Sequence, residues 1–167
     1  MKRLREIGAW IGIGLLLLLL AAVLILALPF LTLAWLGNAA RRRRLRGAAP
    51  GRWGGKRILL VYSDSPHWKS YIESTWLPRY GAALVTLNWS ERRRWPAEHP
   101  FEAAVFRQWA GTREFNPIII AFPPSGDVVV IRLWPAFRAY RHGRAEPLAA
   151  AERQLEALVA GAGAVNP

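Results

Sequence analysis

From Ile7 to Leu36 the chain carries no charge and is built mostly of Leu, Ile, Ala and Val. At a helical rise of 1.5 Å per residue, about twenty such residues cross a bilayer's hydrocarbon core, and this run is longer. A helix satisfies its own backbone hydrogen bonds, which lipid cannot do, so the pattern predicts a membrane span. Trp10 and Trp35 bracket it about 38 Å apart along the helix, a spacing that suits two headgroup belts. Pro29, inside the run, is read as a kink. A cleaved signal sequence would use an apolar run about half this long. A re-entrant hairpin turning near Pro29 and Phe30 is the other reading, although the run is too short for two full spans.

Beyond an Arg/Gly/Ala/Pro-rich stretch, shorter patterns take over. Ile58–Tyr62 is an apolar run bounded by turn residues, the mark of a buried strand. Asp64 or Ser65 then reads as a helix N-cap, with Pro66 at the first helical position. Trp68, Ile72 and Trp76 recur every four residues along one face, and Gly81 is expected to end that helix as a left-handed cap. Ala83–Leu87 is a second strand. A strand–helix–strand unit of this length crosses over right-handed, so its two strands should be parallel. Asn88–Glu98 is polar and basic. A second helix is expected from Pro100, with Phe101, Ala104, Val105, Gln108 and Trp109 at helical spacing and Gly111 beyond its end. Pro117–Phe122 and Val128–Leu133 are strands joined by the tight turn Pro123–Asp127, a link so short that they must pair antiparallel. Trp134–Arg144 reads as a basic, aromatic connection. Glu146–Ala160 reads as a closing helix, with Leu148, Leu155, Leu158 and Val159 inward and Glu152, Arg153 and Glu156 toward water.

The fold class is therefore α/β: an N-terminal transmembrane helix followed by a β-α-β-α-β-β-α domain. In order, that domain resembles the thioredoxin-like fold over residues 56–160. The strand Ile58–Tyr62 runs into a helix opening at Ser65-Pro66. Asn116-Pro117 stands at the entrance to the third strand, where that fold places a cis-proline. The hairpin Ile118–Leu133 precedes a C-terminal helix. The redox signature of the fold, two cysteines separated by two residues, is absent; Asp64-Ser65-Pro66-His67-Trp68 stands in its place. The chain has no cysteine at all, which excludes disulfides, thiolate metal sites and thiol exchange. The expected organisation is a tail and span over 1–37, a basic juxtamembrane linker over 38–55, the domain over 56–160 and a tail over 161–167.

Charge sharpens the setting. The net charge is +12, but residues 1–57 hold 11 Lys and Arg against one acid, while residues 58–167 hold 12 against 10. The cluster Arg41, Arg42, Arg43, Arg44 and Arg46 reads as a topology and lipid-surface signal, each cation gaining about 1 kcal/mol beside anionic headgroups. Positive flanks stay in the cytoplasm, so the heavier C-terminal flank places the domain there; Lys2, Arg3 and Arg5 argue for the opposite topology. A nucleic-acid arm built on Arg41–Arg46 is the weaker reading, because the domain itself is near neutral.

Candidate chemistry gathers at the first helix of the domain. Ser65 and His67, with Asn116 and Pro117 across from them, are candidate ligand-binding residues for an anion or peptide carboxylate at a helix N-terminus. A catalytic version would use His67 as acid–base beside Asp64 or Ser65. Against it stands ordinary capping, which needs the same residues. Three histidines without ligand spacing indicate no metal, and nothing indicates a cofactor. Two further sets mix cations with aromatics: Trp89–Trp95 with Arg92, Arg93 and Arg94, and Arg138, Arg141, His142 and Arg144 with Phe137 and Tyr140. Each reads as a solvated loop, a headgroup-facing surface or a base-stacking surface. The leading expectation is a membrane-anchored, redox-inactive domain that binds a protein partner at the bilayer surface. The alternative is an enzyme using the pocket around His67.

Overall fold

The structure, a computed structural model, describes residues 2–111 and 116–163, and of residues 2–9 and 11–13 the backbone only. Two compact units are present, one to Arg43 and one from Arg44 onward. Helix α1 spans Lys2–Arg52. Within the first unit its apolar side chains are exposed, and its most apolar window has a mean hydropathy of 2.9 with none of it buried. This helix is long and apolar enough to cross a membrane. It passes Pro29 without a break, and the Thr32 hydroxyl donates to the Pro29 carbonyl at 2.9 Å.

The second unit holds a four-stranded sheet of β1 (Ile58–Tyr62), β2 (Leu84–Asn88), β3 (Ile118–Ala121) and β4 (Val129–Arg132), in the order β2-β1-β3-β4. β1 pairs parallel with β2, while β3 is antiparallel to both β1 and β4, as the crossover and hairpin lengths require. β1 is buried along its whole length, which explains its unbroken apolar sequence. Its alternating residues feed two cores. Ile58, Leu60 and Tyr62 meet Trp68, Ile72, Trp76, Phe137, Leu148 and Leu155; Leu59 and Val61 meet Leu45, Trp53, Trp95, Phe106 and Phe122.

The segment after β1 differs from the single capped helix expected. Helix α2 covers only Lys69–Tyr71, a π-helical turn follows over Ile72–Trp76, and α3 covers Leu77–Tyr80. Pro78 supplies the physical reason: it has no N–H to donate, and its ring would press on the carbonyl four residues back, so the preceding turn widens. Trp68, not Ser65 or Asp64, occupies the cap position, without a side-chain cap bond. Pro66 lies in the turn before the helix. Gly81 is not left-handed; at φ −57° it stays right-handed, and the helix ends instead through Ala83 N–H to Tyr80 O and Leu84 N–H to Gly81 O. The Lys56 ammonium donates to the carbonyls of Gly81 and Leu84, serving as the cation at that helix end.

Five further differences follow. Residues 38–52, read as linker, are helical, and Leu45, Ala49 and Trp53 are buried in the core of the second unit. Asn88–Glu98 is not all loop: Trp89–Glu91 is a 3₁₀ turn and α4 covers Trp95–Glu98, ahead of α5 (Pro100–Trp109). Trp134–Arg144 contains a true helix, α6 (Trp134–Arg141), with Pro135 in its first turn. The last helix, α7, runs over Glu146–Gly163, so the expected tail is helical as far as Gly163, and residues 164–167 lie outside the described residues. Glu152 and Glu156 are half-buried and bonded within the fold, not simply solvated. Glu152 accepts from Tyr71 Oη and Trp76 Nε1, each at 2.8 Å, and Glu156 accepts from Tyr80 Oη at 2.9 Å and pairs with Arg79.

Candidate functional site at the end of the sheet

One end of the sheet collects the residues singled out by sequence. The register aligns Tyr62 with Asn88, Val61 with Ile118 and Ile118 with Arg132, so the loops after β1 and β2, the entry to β3 and the start of α6 share this end. The carboxyl ends of parallel strands are where open α/β sheets place their ligands.

Asp64 is committed to structure. Its Oδ1 accepts from the Lys69 ammonium at 2.7 Å and from Asn88 Nδ2 at 3.1 Å, and its backbone N–H donates to Ser90 Oγ at 3.0 Å. These bonds to Lys69 and Asn88 hold its carboxyl below the usual range, and the Asp64 partner raises the Lys69 ammonium in turn. The residue therefore ties the loop after β1 to the loop after β2. Asn88 completes the tie: its Oδ1 accepts from Ser90 N–H at 2.9 Å, and its carbonyl accepts from Trp95 Nε1 at 3.0 Å. Sequence reading missed Asn88 and Ser90, although an Asn two residues before a Ser at a strand end is an Asx-turn signal.

Ser65 Oγ accepts from the His67 N–H at a long 3.4 Å. His67 is exposed, its ring lies 6.1 Å from that of Trp68, and among the described residues no side chain hydrogen-bonds its imidazole. Asp64, Ser65 and His67 are thus sequence neighbours without a relay between them. Trp68 is buried, donates to the Ser63 carbonyl at 3.2 Å, and meets Trp134 edge-on at 5.5 Å. Trp134 is 36% exposed, a large ring at the rim of the site. Tyr62, at the end of β1, donates to Glu73 Oε1 at 3.2 Å; burial first, then the Glu73 charge, pushes its phenol up to about 12.

The Asn116–Pro117 bond is cis. Pro117 is buried, and its carbonyl accepts from Leu133 N–H at 2.9 Å. Asn116 Oδ1 is buried with no hydrogen-bond partner among the described residues. No hydrogen bond or ring contact among the described residues joins Asn116 or Pro117 to Asp64, Ser65 or His67. The sheet register places both sets at one end of the fold.

The basic residues divide. Arg41, Arg42, Arg43 and Arg44 are exposed, whereas Arg46 donates to the carbonyls of Pro123 and Gly126 at 3.1 and 2.6 Å, fastening the β3–β4 turn. In the Trp89–Trp95 segment Trp95 is buried and Trp89 half-buried, with the Arg92 guanidinium 3.9 Å from the Trp89 ring centre. Among the described residues no group of three or more His, Asp or Glu could hold a metal ion. No family model, no curated protein and no solved structure matches this chain.

Proposed function

We propose that this chain is a single-pass membrane protein of the cell membrane whose second unit is a redox-inactive, thioredoxin-like domain that binds a protein partner at the bilayer surface. The observation that carries the reading is the exposed apolar helix joined to a folded, thiol-free unit. A tether raises the local concentration of whatever the unit binds without any new contact, and so favours a weak, reversible module. Strand order β2-β1-β3-β4, with β1 and β2 parallel and β3 and β4 antiparallel, supports the thioredoxin-like reading. So does the placement of α2, α3 and α7 on one face and α5 on the other. The positive flank Arg41–Arg44 supports a cytoplasmic domain. A catalytic role for His67 gains no support, since among the described residues no carboxylate or hydroxyl hydrogen-bonds its ring.

The test has two arms. Carbonate washing of membranes should leave the full chain in the pellet. A photo-reactive residue at His67, at the sheet end, should yield one discrete adduct in intact membranes, whereas the same probe at the exposed Gln154 on α7 should yield none. Extraction by carbonate removes the anchor from the reading; equal labelling from both positions removes the binding module.

A further inference from the structure

α6 and the turn after it form a groove of about 460 Å³ lined by Trp134, Pro135, Arg138, Ala139, His142 and Arg144. Its lining holds three cationic or basic side chains and no carboxylate. Among the described residues Arg138, Arg141, His142 and Arg144 have no ion-pair partner, in contrast to Arg79 and Arg153, which are paired with Glu156 and Glu146. Positive φ at Gly143 (77°) turns the chain, and the Arg144 N–H returns to the Ala139 carbonyl at 3.0 Å, which brings Arg144 back alongside α6. Cations at a helix C-terminus also suit its dipole, but that role requires neither a cavity nor an aromatic wall.

We propose that this groove binds a phosphomonoester, with the Arg138 and Arg144 guanidinium groups on the phosphate oxygens and the organic part of the ligand against Trp134. Guanidinium forks match phosphate oxygens two at a time and are weakly hydrated, so Arg is the residue suited to this task. The volume lies within the ~300–1,000 Å³ of small-molecule pockets, leaving room for more than the phosphate itself. Such an anion arises from a lipid headgroup or from a soluble phosphorylated metabolite, and the chemistry of capture is the same. The proposal stands apart from protein binding at the sheet end and survives its failure.

The experiment uses the full chain in phosphatidylcholine nanodiscs with fluorinated tryptophan, the Trp134 resonance being assigned by its loss in Trp134→Phe. Glycerol 3-phosphate is titrated in one arm; phosphatidic acid is built into the nanodisc in the other. A saturable shift of the Trp134 signal with glycerol 3-phosphate supports a soluble ligand. A shift only with phosphatidic acid supports the lipid source. In either case Arg138→Gln/Arg144→Gln should weaken the response at least tenfold, while Arg92→Gln/Arg93→Gln/Arg94→Gln leaves it unchanged. A Trp134 signal that moves in neither arm, or that moves equally in the Arg138→Gln/Arg144→Gln protein, overturns the proposal.

Discussion

Replacing Trp53 tests whether the basic stretch after the long apolar run belongs to the folded core. The indole is 6% exposed, stacks on Phe122 at 5.7 Å, and meets Phe101 edge-on at 5.8 Å. Its N–H donates to Glu102 Oε1 at 2.7 Å. Truncation of a buried aromatic to Ala costs about 3–5 kcal/mol, part transfer and part cavity. Trp53→Phe keeps one aromatic ring but loses the rest of the indole's packing together with the hydrogen bond to a charged acceptor, the latter worth about 1.5–3 kcal/mol. The half-exposed Glu102 can turn to water, which argues for the lower end of that range. Small domains are stable by only about 5–15 kcal/mol, so the Ala variant should lose a large share of the total. Urea unfolding of the full chain in non-ionic detergent, followed by near-UV circular dichroism, reads the change as a shift in midpoint at constant slope. Trp10→Ala, in the first unit, is the control and should leave the midpoint unmoved. If Trp53→Ala falls within about 1 kcal/mol of the parent, the segment is a tether and its packing has been misjudged.

Three further outcomes follow from the packing and hydrogen bonds of the same unit. Glu152 accepts both the Tyr71 and Trp76 donors on one oxygen, so Glu152→Gln can keep both bonds and should cost about 1 kcal/mol, whereas Glu152→Ala leaves the fully buried Trp76 N–H unpaired and should cost about 3 kcal/mol, measured by urea midpoint. Burial, then Glu152, pushes Tyr71 up to about 12, and Tyr62 is pushed up as far; with folded values above the unfolded 10.0, their stabilising contribution is whole below pH 10 and lost as pH climbs from 10 toward 12. Unfolding midpoints across that window should fall, and Tyr62→Phe/Tyr71→Phe should flatten the fall. At Gly81 an added Cβ would lie 2.5 Å from the Leu77 carbonyl oxygen, so Gly81→Ala should destabilise by about 1–3 kcal/mol, where the same change in an open helix stabilises; a raised thermal midpoint contradicts the close approach.

What the chain reveals before folding depends on whether the signal is local. β1 and β3 are unbroken apolar runs between turn residues, and their directions follow from connection lengths, so the sheet was legible. The long apolar helix was legible for the same reason. α6 was not, because Arg138, Arg141 and the exposed Trp134 and Tyr140 dilute its apolar face to Ala136, Phe137 and Ala139. Its punctuation was present all the same: Pro135 in the first turn and Gly143 just beyond the end. Leu45, Ala49 and Trp53 stand four residues apart, a core stripe masked by the arginines around it. The roles of Glu152 and Glu156 could not be read locally at all. Each carboxylate meets its donors across about eighty residues of chain, and only the tertiary fold places Tyr71, Trp76 and Tyr80 against α7. At the sheet end, position was legible and partnership was not: Asp64 was read as a helix cap or a partner of His67, yet it bonds Lys69 and Asn88.

That distinction changes what the charge of the folded unit means. By composition residues 58–167 are near neutral, which disfavours an anionic partner. In the fold, however, Asp64, Glu73, Glu102, Glu146, Glu152 and Glu156 are each engaged by a neighbouring donor or cation. Glu91, Glu98 and Asp127 are exposed, as are Arg93, Arg94, Arg138, Arg141 and Arg144, which have no ion-pair partner among the described residues. Yet the folded unit begins at Arg44 and holds 17 Lys and Arg against 10 acids, so an approaching molecule meets a basic surface, and such a field steers association. Partners for this unit should be acidic, and their association should slow as salt rises toward 0.3 M, with Arg138→Gln/Arg144→Gln reducing that salt dependence. Association rates that ignore ionic strength would mean the exposed arginines lie away from every contact the unit makes.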